Sequence, residues 1–402
     1  MKTQRVAVWC LLVSILGIGL SAFLVFLHLG LMRGELLGGV ACGGGGAFNC
    51  HAVTGSSWSQ FLGIPLALWG LIGYITVLAL SLLSLQSREW ETDALTLLWG
   101  VAVVFVTVDA VLFSLMVFVI RFLCVLCLLT YALNLSLLLA TWRWLRQTQV
   151  SVWKHLPVAV QSLVPSSRRP ATLLFWGILL VGSSTTMGLH AATTFVSRGT
   201  LGSLQPQMRE FVEKQPRVAV DISGDPSLGP VDARFQVVEF SDFLCAACNR
   251  MSKLNTIILA NHRDDTRFVF KHFPLDTTCN NQITRLVHPG ACDVAAASEC
   301  AHRQGKFWPF HDRIFGGKEP YKPVNLEADA RDVGLDMQPF QHCMASGEGM
   351  TAVKRDIAQA GEIGVTSTPT FVINGVRIPG ILNPSTFEDL TSVLGEASTQ
   401  NP

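Results

Sequence analysis

Five apolar stretches, at 6–32, 61–85, 94–120, 122–145 and 172–190, constrain the first half of this 402-residue chain more than any other feature. Each approaches or exceeds the length of helix, about 20 residues, that crosses the hydrocarbon core of a bilayer. No water reaches a backbone amide in hydrocarbon, so each stretch must close its own hydrogen bonds, which a lone stretch does only as a helix. Composition agrees: half the residues are apolar and 15% are charged, against about 25% in ordinary soluble domains. The first stretch is too long for the apolar part of a cleaved leader and others follow it, so it reads as an uncleaved span. The second half has the mixed charge of a globular domain. A net charge of +1 supplies no field to attract nucleic acid.

Basic residues set the orientation. Lys2 and Arg5 precede the first stretch, and Arg143, Arg146, Lys154, Arg168 and Arg169 lie between the fourth and fifth. Both regions are expected in the cytoplasm. Alternation then puts the loop after the first stretch, the turn between the third and fourth, and everything beyond about 191 on the external side. The expected organisation is a four-helix membrane domain (1–146), a cytoplasmic loop and fifth span (147–196), a linker with a short helix near 207–214 (197–230), and a soluble domain (231–402).

Three cysteine pairs fall on that external face, although the charge rule takes no account of cysteine. Cys42 and Cys50 bracket four glycines, Gly43 to Gly46; Cys124-Val125-Leu126-Cys127 separates two apolar stretches; Cys245-Ala246-Ala247-Cys248 opens the soluble domain. Disulfides persist outside the cytoplasm. Pairs that meet in turn can pass electrons by thiolate attack on a disulfide. Purely structural disulfides are the plain alternative. Zinc is disfavoured, because the two Cys-x-x-Cys pairs stand over a hundred residues apart and one abuts apolar helix; no metal is expected. There is no Cys-x-x-Cys-His for haem and no Gly-Lys-Ser/Thr after the glycine run. Asp109 lies inside the third stretch, where an acid relays protons or makes a polar helix contact. Cys10 reads as packing, and His28 and His51 as interfacial.

In the soluble half a strand pattern at 236–240 runs into Cys245 and a helix reaching about residue 259. A thiolate at a helix N-terminus is stabilised by the dipole and the free amides. Cys245 is therefore expected to be the acidic, exposed nucleophile and Cys248 the resolving thiol. Thr368-Pro369 precedes another strand pattern, which ends in the Asn374-Gly375 turn. The remaining Cys279, Cys292, Cys300 and Cys343 allow three pairings. Structural bridges Cys279–Cys292, closing a short loop, and Cys300–Cys343, tying the ends of a helical region, are preferred to a metal site or a further exchange pair.

The Cys42/Cys50 spacing, Val53, Ser56, Trp58, Gly63-Ile64-Pro65-Leu66 and the Cys124–Cys127 motif followed by Tyr131 resemble the vitamin K epoxide reductase family over about residues 6–145. The resemblance implies that Cys124 and Cys127 are the redox pair beside a quinone, that Cys42 and Cys50 shuttle electrons to them, and that Ser56 and Tyr131 contact the quinone. The second half resembles the DsbA-like branch of thioredoxin folds. That resemblance implies a buried Glu239 beneath the cysteines and a cis Pro369 after Thr368 against them. The fold class implied is a membrane all-α four-helix bundle plus a fifth transmembrane helix, then an α/β thioredoxin-like domain with a helical insertion.

Together the two resemblances imply a thiol:quinone oxidoreductase of the bacterial inner membrane. The external domain would oxidise reduced exported proteins, and the electrons would leave on ubiquinone or menaquinone. The opposite direction, from external thiols to a quinone or quinone epoxide, an isomerase, and a non-enzymatic tethered chaperone are the alternatives. The orientation is testable directly. A thiol reagent that cannot cross membranes should label reduced Cys245 in intact spheroplasts and spare a cysteine placed at Lys154; the reverse pattern would invert the topology.

Overall fold

The computed structural model describes residues 2–32, 48–86, 88–164, 170–202, 204–316 and 325–399. The chain forms two compact units, 1–202 and 203–402.

In the first unit α1 (Lys2–Met32), α3 (Leu66–Gln86), α4 (Glu91–Ser114) and α5 (Val125–Thr148) close a ring in which each helix packs on two others. Cys10, Val13, Val77, Leu80, Leu95, Leu98, Leu137 and Trp144 interlock in its core. Leu16, Val104 and Phe118 stay exposed. An apolar face turned outward is costly in water but is the surface hydrocarbon requires. The four helices are long and apolar enough to cross a membrane, at Thr3–Leu31, Leu66–Gln86, Glu91–Ile120 and Val125–Thr148. Gly17 of α1 lies against the Tyr74 ring, where a Cβ would collide with it; a small residue lets two membrane helices approach. Helix α6 (Val152–Ser162) packs on α4, and α7 (Pro170–Gly202), which covers the fifth apolar stretch, packs on α3.

Between α1 and α3 lie the one-turn helix α2 (Cys50–Thr54) and a hairpin of β1 (Gln60–Phe61) and β2 (Ile64–Pro65). Leu62 and Gly63 turn that hairpin with φ of 56° and 74°, the positive pair that a two-residue connection favours. Helix α4 ends in a π turn, Leu115–Ile120, and Arg121, at φ 61°, breaks it before Cys124.

The second unit begins with α8 (Leu204–Lys214), which packs on the C-terminal helix α15 (Pro384–Thr399). Its sheet contains β3 (Ser227–Leu228), β4 (Phe235–Ser241), β5 (Thr266–His272), β6 (Thr370–Ile373) and β7 (Val376–Pro379), in the order β3-β5-β4-β6-β7. Only β4 and β5 pair in parallel, joined by α9 (Ala246–Asn261) as the crossover. Asn374 and Gly375, both at positive φ, turn β6 into β7. The stretch 197–230, expected as a linker, carries α8 and β3, and Val218 donates its amide to the Gly375 carbonyl at 2.9 Å. The helical insertion contains α10 (Ala291–His302), α11 (Phe307–Phe315), α12 (Leu326–Asp332), α13 (Met337–Ser346) and α14 (Glu348–Glu362).

Two features fasten the insertion to the sheet or to itself. Lys271 of β5 is fully buried, with Nζ 2.6 Å from Asp225 and 2.9 Å from Asp356 of α14. Disulfides join Cys279 to Cys292 and Cys300 of α10 to Cys343 of α13. A bridge of this kind contributes about 2–4 kcal/mol, mainly by restricting the unfolded chain. Replacing Cys300 and Cys343 together by Ala should lower the melting temperature of the second unit produced alone. Its rate of peptide oxidation at low temperature should stay near normal. Loss of oxidation with an unchanged melting temperature would put this pair in the electron path.

Candidate redox sites

In the second unit β4 delivers the chain through Asp242, Phe243 and Leu244 to Cys245, the N-cap of α9. The Cys245 amide donates to the Asp242 carbonyl at 3.0 Å, and its carbonyl accepts from Asn249. Its sulfur lies 3.6 Å from the Thr368 carbonyl oxygen, at the cis Thr368–Pro369 bond. Cys245 was expected to be exposed, yet it is 8% exposed, packed with Phe243, Leu244 and Phe270. Cys248, one turn into α9, is wholly buried. Glu239 lies on β4 and accepts from Asn255 of α9 at 2.5 Å.

The electrostatics separate the two thiols. The Cys248 hydrogen bond holds Cys245 down to about 6, helped by the group at Thr368; burial and the Asp242 charge oppose it. Burial and the neighbouring Cys245 push Cys248 well above a free thiol. Burial raises Glu239 to about 7, against its hydrogen bond from Asn255. One sulfur is thus a ready nucleophile near neutral pH, and the other is held as a thiol until exchange releases it.

In the first unit Cys124 is the N-cap of α5, and its sulfur accepts from the Cys127 amide at 3.2 Å. The two are joined as a disulfide. Asn49 caps α2, whose first residue is Cys50, by accepting from the Ala52 amide at 3.0 Å. A parallel bridge between Phe48 and Leu123, with the Asn49 amide on the Leu123 carbonyl at 2.9 Å, draws this turn to the head of α5. Cys50 and Cys124 consequently bury themselves in one cluster with Leu24, Leu27 and Val53. Cys42 lies outside the described residues.

A cavity of about 290 Å³ opens beside Cys127, walled largely by apolar side chains of α1, α3, α4 and α5. Ser56 and Tyr131 both line it. The Ser56 hydroxyl donates to the Val53 carbonyl at 2.9 Å, so its proton is already engaged. Farther along α5, Asn134 donates to Asp109 at 2.9 Å and accepts from Tyr74 at 2.7 Å. Asn134 is seven residues beyond Cys127, about 10 Å along the helix axis. Sequence reading missed Tyr74 and Asn134. The signal available was their polarity inside apolar spans. His28 and His51 are both buried; His28 Nδ1 lies 2.9 Å from the Thr54 carbonyl and the ring lines the cavity. Among the described residues no group of three or more His, Cys, Asp or Glu side chains is arranged to hold a metal.

Cysteine pairs thus stand at helix N-termini in both units, Cys245 and Cys248 on the helix that follows β4, and Cys124 and Cys127 at the head of α5, with Cys127 lining the apolar cavity. Residues 8–142 match the Vitamin K epoxide reductase family and residues 236–391 match the DSBA-like thioredoxin domain. The chain is a vitamin K epoxide reductase domain fused to a DSBA-like thioredoxin domain. Similar solved structures include a thioredoxin-like oxidoreductase from Silicibacter pomeroyi (25% identity, TM-score 0.37, 44% of this chain and 94% of that one). BdbD from Bacillus subtilis is another (20%, 0.38, 45% and 97%). Among curated proteins, the chain is 35% identical over 179 residues to the Na(+)/H(+) antiporter NhaA of Herminiimonas arsenicoxydans, covering 44% of this chain and 26% of that protein. It is 32% identical over 166 residues to Na(+)/H(+) antiporter NhaA 3 of Salinispora tropica, covering 41% and 24%. The matched region spans about a quarter of the length of these curated relatives.

The separation of the two thiols predicts a pH profile. In the reduced protein, alkylation of Cys245 should rise with pH through a midpoint at about 6, and Cys248 should stay unreactive there. The depressed value also gives the sign for stability. A thiolate favoured by folding stabilises the reduced fold above the free-thiol range, and that contribution is lost as pH falls through about 6. Alkylation at the pH of an ordinary cysteine, about 8.5, would remove the basis for calling Cys245 the nucleophile.

Proposed function

We propose that this protein is a disulfide-generating thiol:quinone oxidoreductase of a bacterial inner membrane, with its thioredoxin-like unit on the external side. A substrate dithiol is oxidised as the Cys245–Cys248 disulfide is reduced. That dithiol is reoxidised by the Cys42–Cys50 pair, and those thiols by Cys124–Cys127. Two electrons and two protons finally convert a quinone to its quinol, so the sum is one substrate disulfide and one quinol.

The observation that carries this reading is the apolar cavity beside the Cys124–Cys127 disulfide. Its size, its apolar wall and its few hydroxyl groups suit a lipid-soluble ring with oxygen substituents, because an uncharged donor holds such an oxygen without burying a charge in hydrocarbon. A quinone bound there supplies the two-electron sink. Tyr131 is the better placed donor of the two expected contacts. Ser56 already gives its proton to Val53, whereas no hydrogen bond to the Tyr131 hydroxyl is found among the described residues. Two arguments favour oxidation of substrates over reduction. Stabilising the Cys245 thiolate stabilises the reduced pair and makes its disulfide the stronger oxidant. Fusion also raises the effective concentration of each partner for the other, so a weak encounter suffices.

Purified protein should consume a soluble quinone in step with oxidation of a dithiol peptide. Tyr131→Phe should slow quinone reduction by the equivalent of about 1–3 kcal/mol, and Ser56→Ala by less. Neither should change single-turnover oxidation of the peptide by Cys245–Cys248. Peptide oxidation by the wild type without quinone loss would refute the acceptor.

A further inference from the structure

The motif Cys-Ala-Ala-Cys places no polar or titratable side chain between its cysteines, so whatever acts on Cys245 beyond the Cys248 hydrogen bond comes from outside the motif. Asp242, three residues earlier, is buried. Its Oδ1 accepts the Leu244 amide at 2.7 Å, and its Oδ2 accepts the Leu275 amide at 2.7 Å and meets His288 Nδ1 at 2.7 Å. The Asp242 carbonyl also accepts the Cys245 amide. This carboxylate is therefore fixed to the turn that presents the nucleophile, and its charge works against the thiolate. We infer that His288 is a positioning residue for thiol exchange, holding the Asp242 carboxylate in place and offsetting its negative charge so that the Cys245 thiolate can form.

His288 reaches this place from a segment closed by the Cys279–Cys292 disulfide. The Val287 and His288 amides both donate to the Leu275 carbonyl, at 3.0 and 2.9 Å, and the His288 carbonyl accepts from Ala291 at 3.1 Å. The backbone on both sides of the ring is thus pinned. Asp242 and Cys245 are charged groups that act on the ring. Burial disfavours its cation, but the Asp242 hydrogen bond and both negative charges favour it, and the net effect raises His288. Of the other charges nearby, the Asp276 carboxylate is occupied by Thr278 and the Gly290 amide, and Arg285 is exposed on the same segment. With His288 protonated, the thiolate faces a neutral ion pair. Without that cation it faces a bare buried carboxylate.

This inference rests on Cys245 being the exchanging thiol, and the assay reads that separately. The reduced full-length protein is alkylated with iodoacetamide across pH and the adducts are located by peptide mapping. A wild-type Cys245 that does not react would undo the reading of the site. With a reactive wild type, His288→Ala should move the Cys245 midpoint up by about half a pH unit or more. It should also shift the glutathione redox equilibrium by about threefold or more towards the disulfide form, because one pH unit corresponds to a factor of ten. In an Asp242→Asn background, His288→Ala should add little. The same shift in that background would show that His288 does not act through Asp242. An unchanged midpoint with a lowered melting temperature would make the residue merely structural. Should Asp242→Asn not fold, His288→Gln decides: it keeps a hydrogen-bond donor but no charge, so it should raise the midpoint as His288→Ala does, and a wild-type midpoint would overturn the inference.

Discussion

A sulfur placed at the first turn of a helix is the constraint on which both halves of this protein depend. Cys124 caps α5, Cys245 caps α9, and Cys50 is the first residue of α2. At such a position unpaired backbone amides point at the sulfur and the helix dipole favours negative charge. For Cys124 and Cys245 the partner three residues on is then held one turn inside, close enough to bond and more deeply buried in the case of Cys248. The surrounding folds have nothing else in common. One is a ring of apolar helices and the other a five-stranded sheet, yet each ends an extended segment at the cysteine and begins a helix just after it.

Hydrocarbon dictates how polarity is used in the first unit. No cation among the described residues pairs with Asp109; its hydrogen bond comes from Asn134, which in turn accepts from Tyr74. A chain of neutral donors satisfies the carboxyl without bringing a second charge into the bundle. The second unit uses the opposite solution: Lys271 is buried between Asp225 and Asp356. Such a cluster gives little net stability over apolar packing but is expensive to break, so it fixes β5 to α14 in one arrangement. The cysteines of each unit therefore stand on a framework with its own pattern of polar contacts.

Much of this was legible in the sequence because it is local. Length and apolarity reveal α1, α3, α4 and α5, and the Cys-x-x-Cys spacing reveals which helix starts matter. The turn at Asn374-Gly375 announces itself by residue type. What sequence reading could not supply depends on residues far apart in the chain. Asp242 and His288 are separated by 46 positions, Tyr74 and Asn134 by 60, and Lys271 and Asp356 by 85. Nothing periodic marks such pairs. The covering of Cys245 was hidden for the same reason: Phe270 comes from β5, and only the sheet register brings that strand beside the motif. The short helix α8 was visible, but its packing on α15, at the other end of the second unit, was not.

The same distinction explains what the Cys279–Cys292 bridge does for the chemistry. By position it is an ordinary staple across 13 residues. The segment it closes, however, is held to the chain just beyond β5 through the Leu275 carbonyl, which leaves His288 on Asp242. A free loop of that length would have to order its backbone each time the histidine met the carboxylate, at about 1 kcal/mol or more per residue fixed. The disulfide moves much of that ordering into the folding of the unit. Stability and thiol chemistry are thereby linked through one loop, and a contact too weak to hold a free segment suffices to keep a single ring in place.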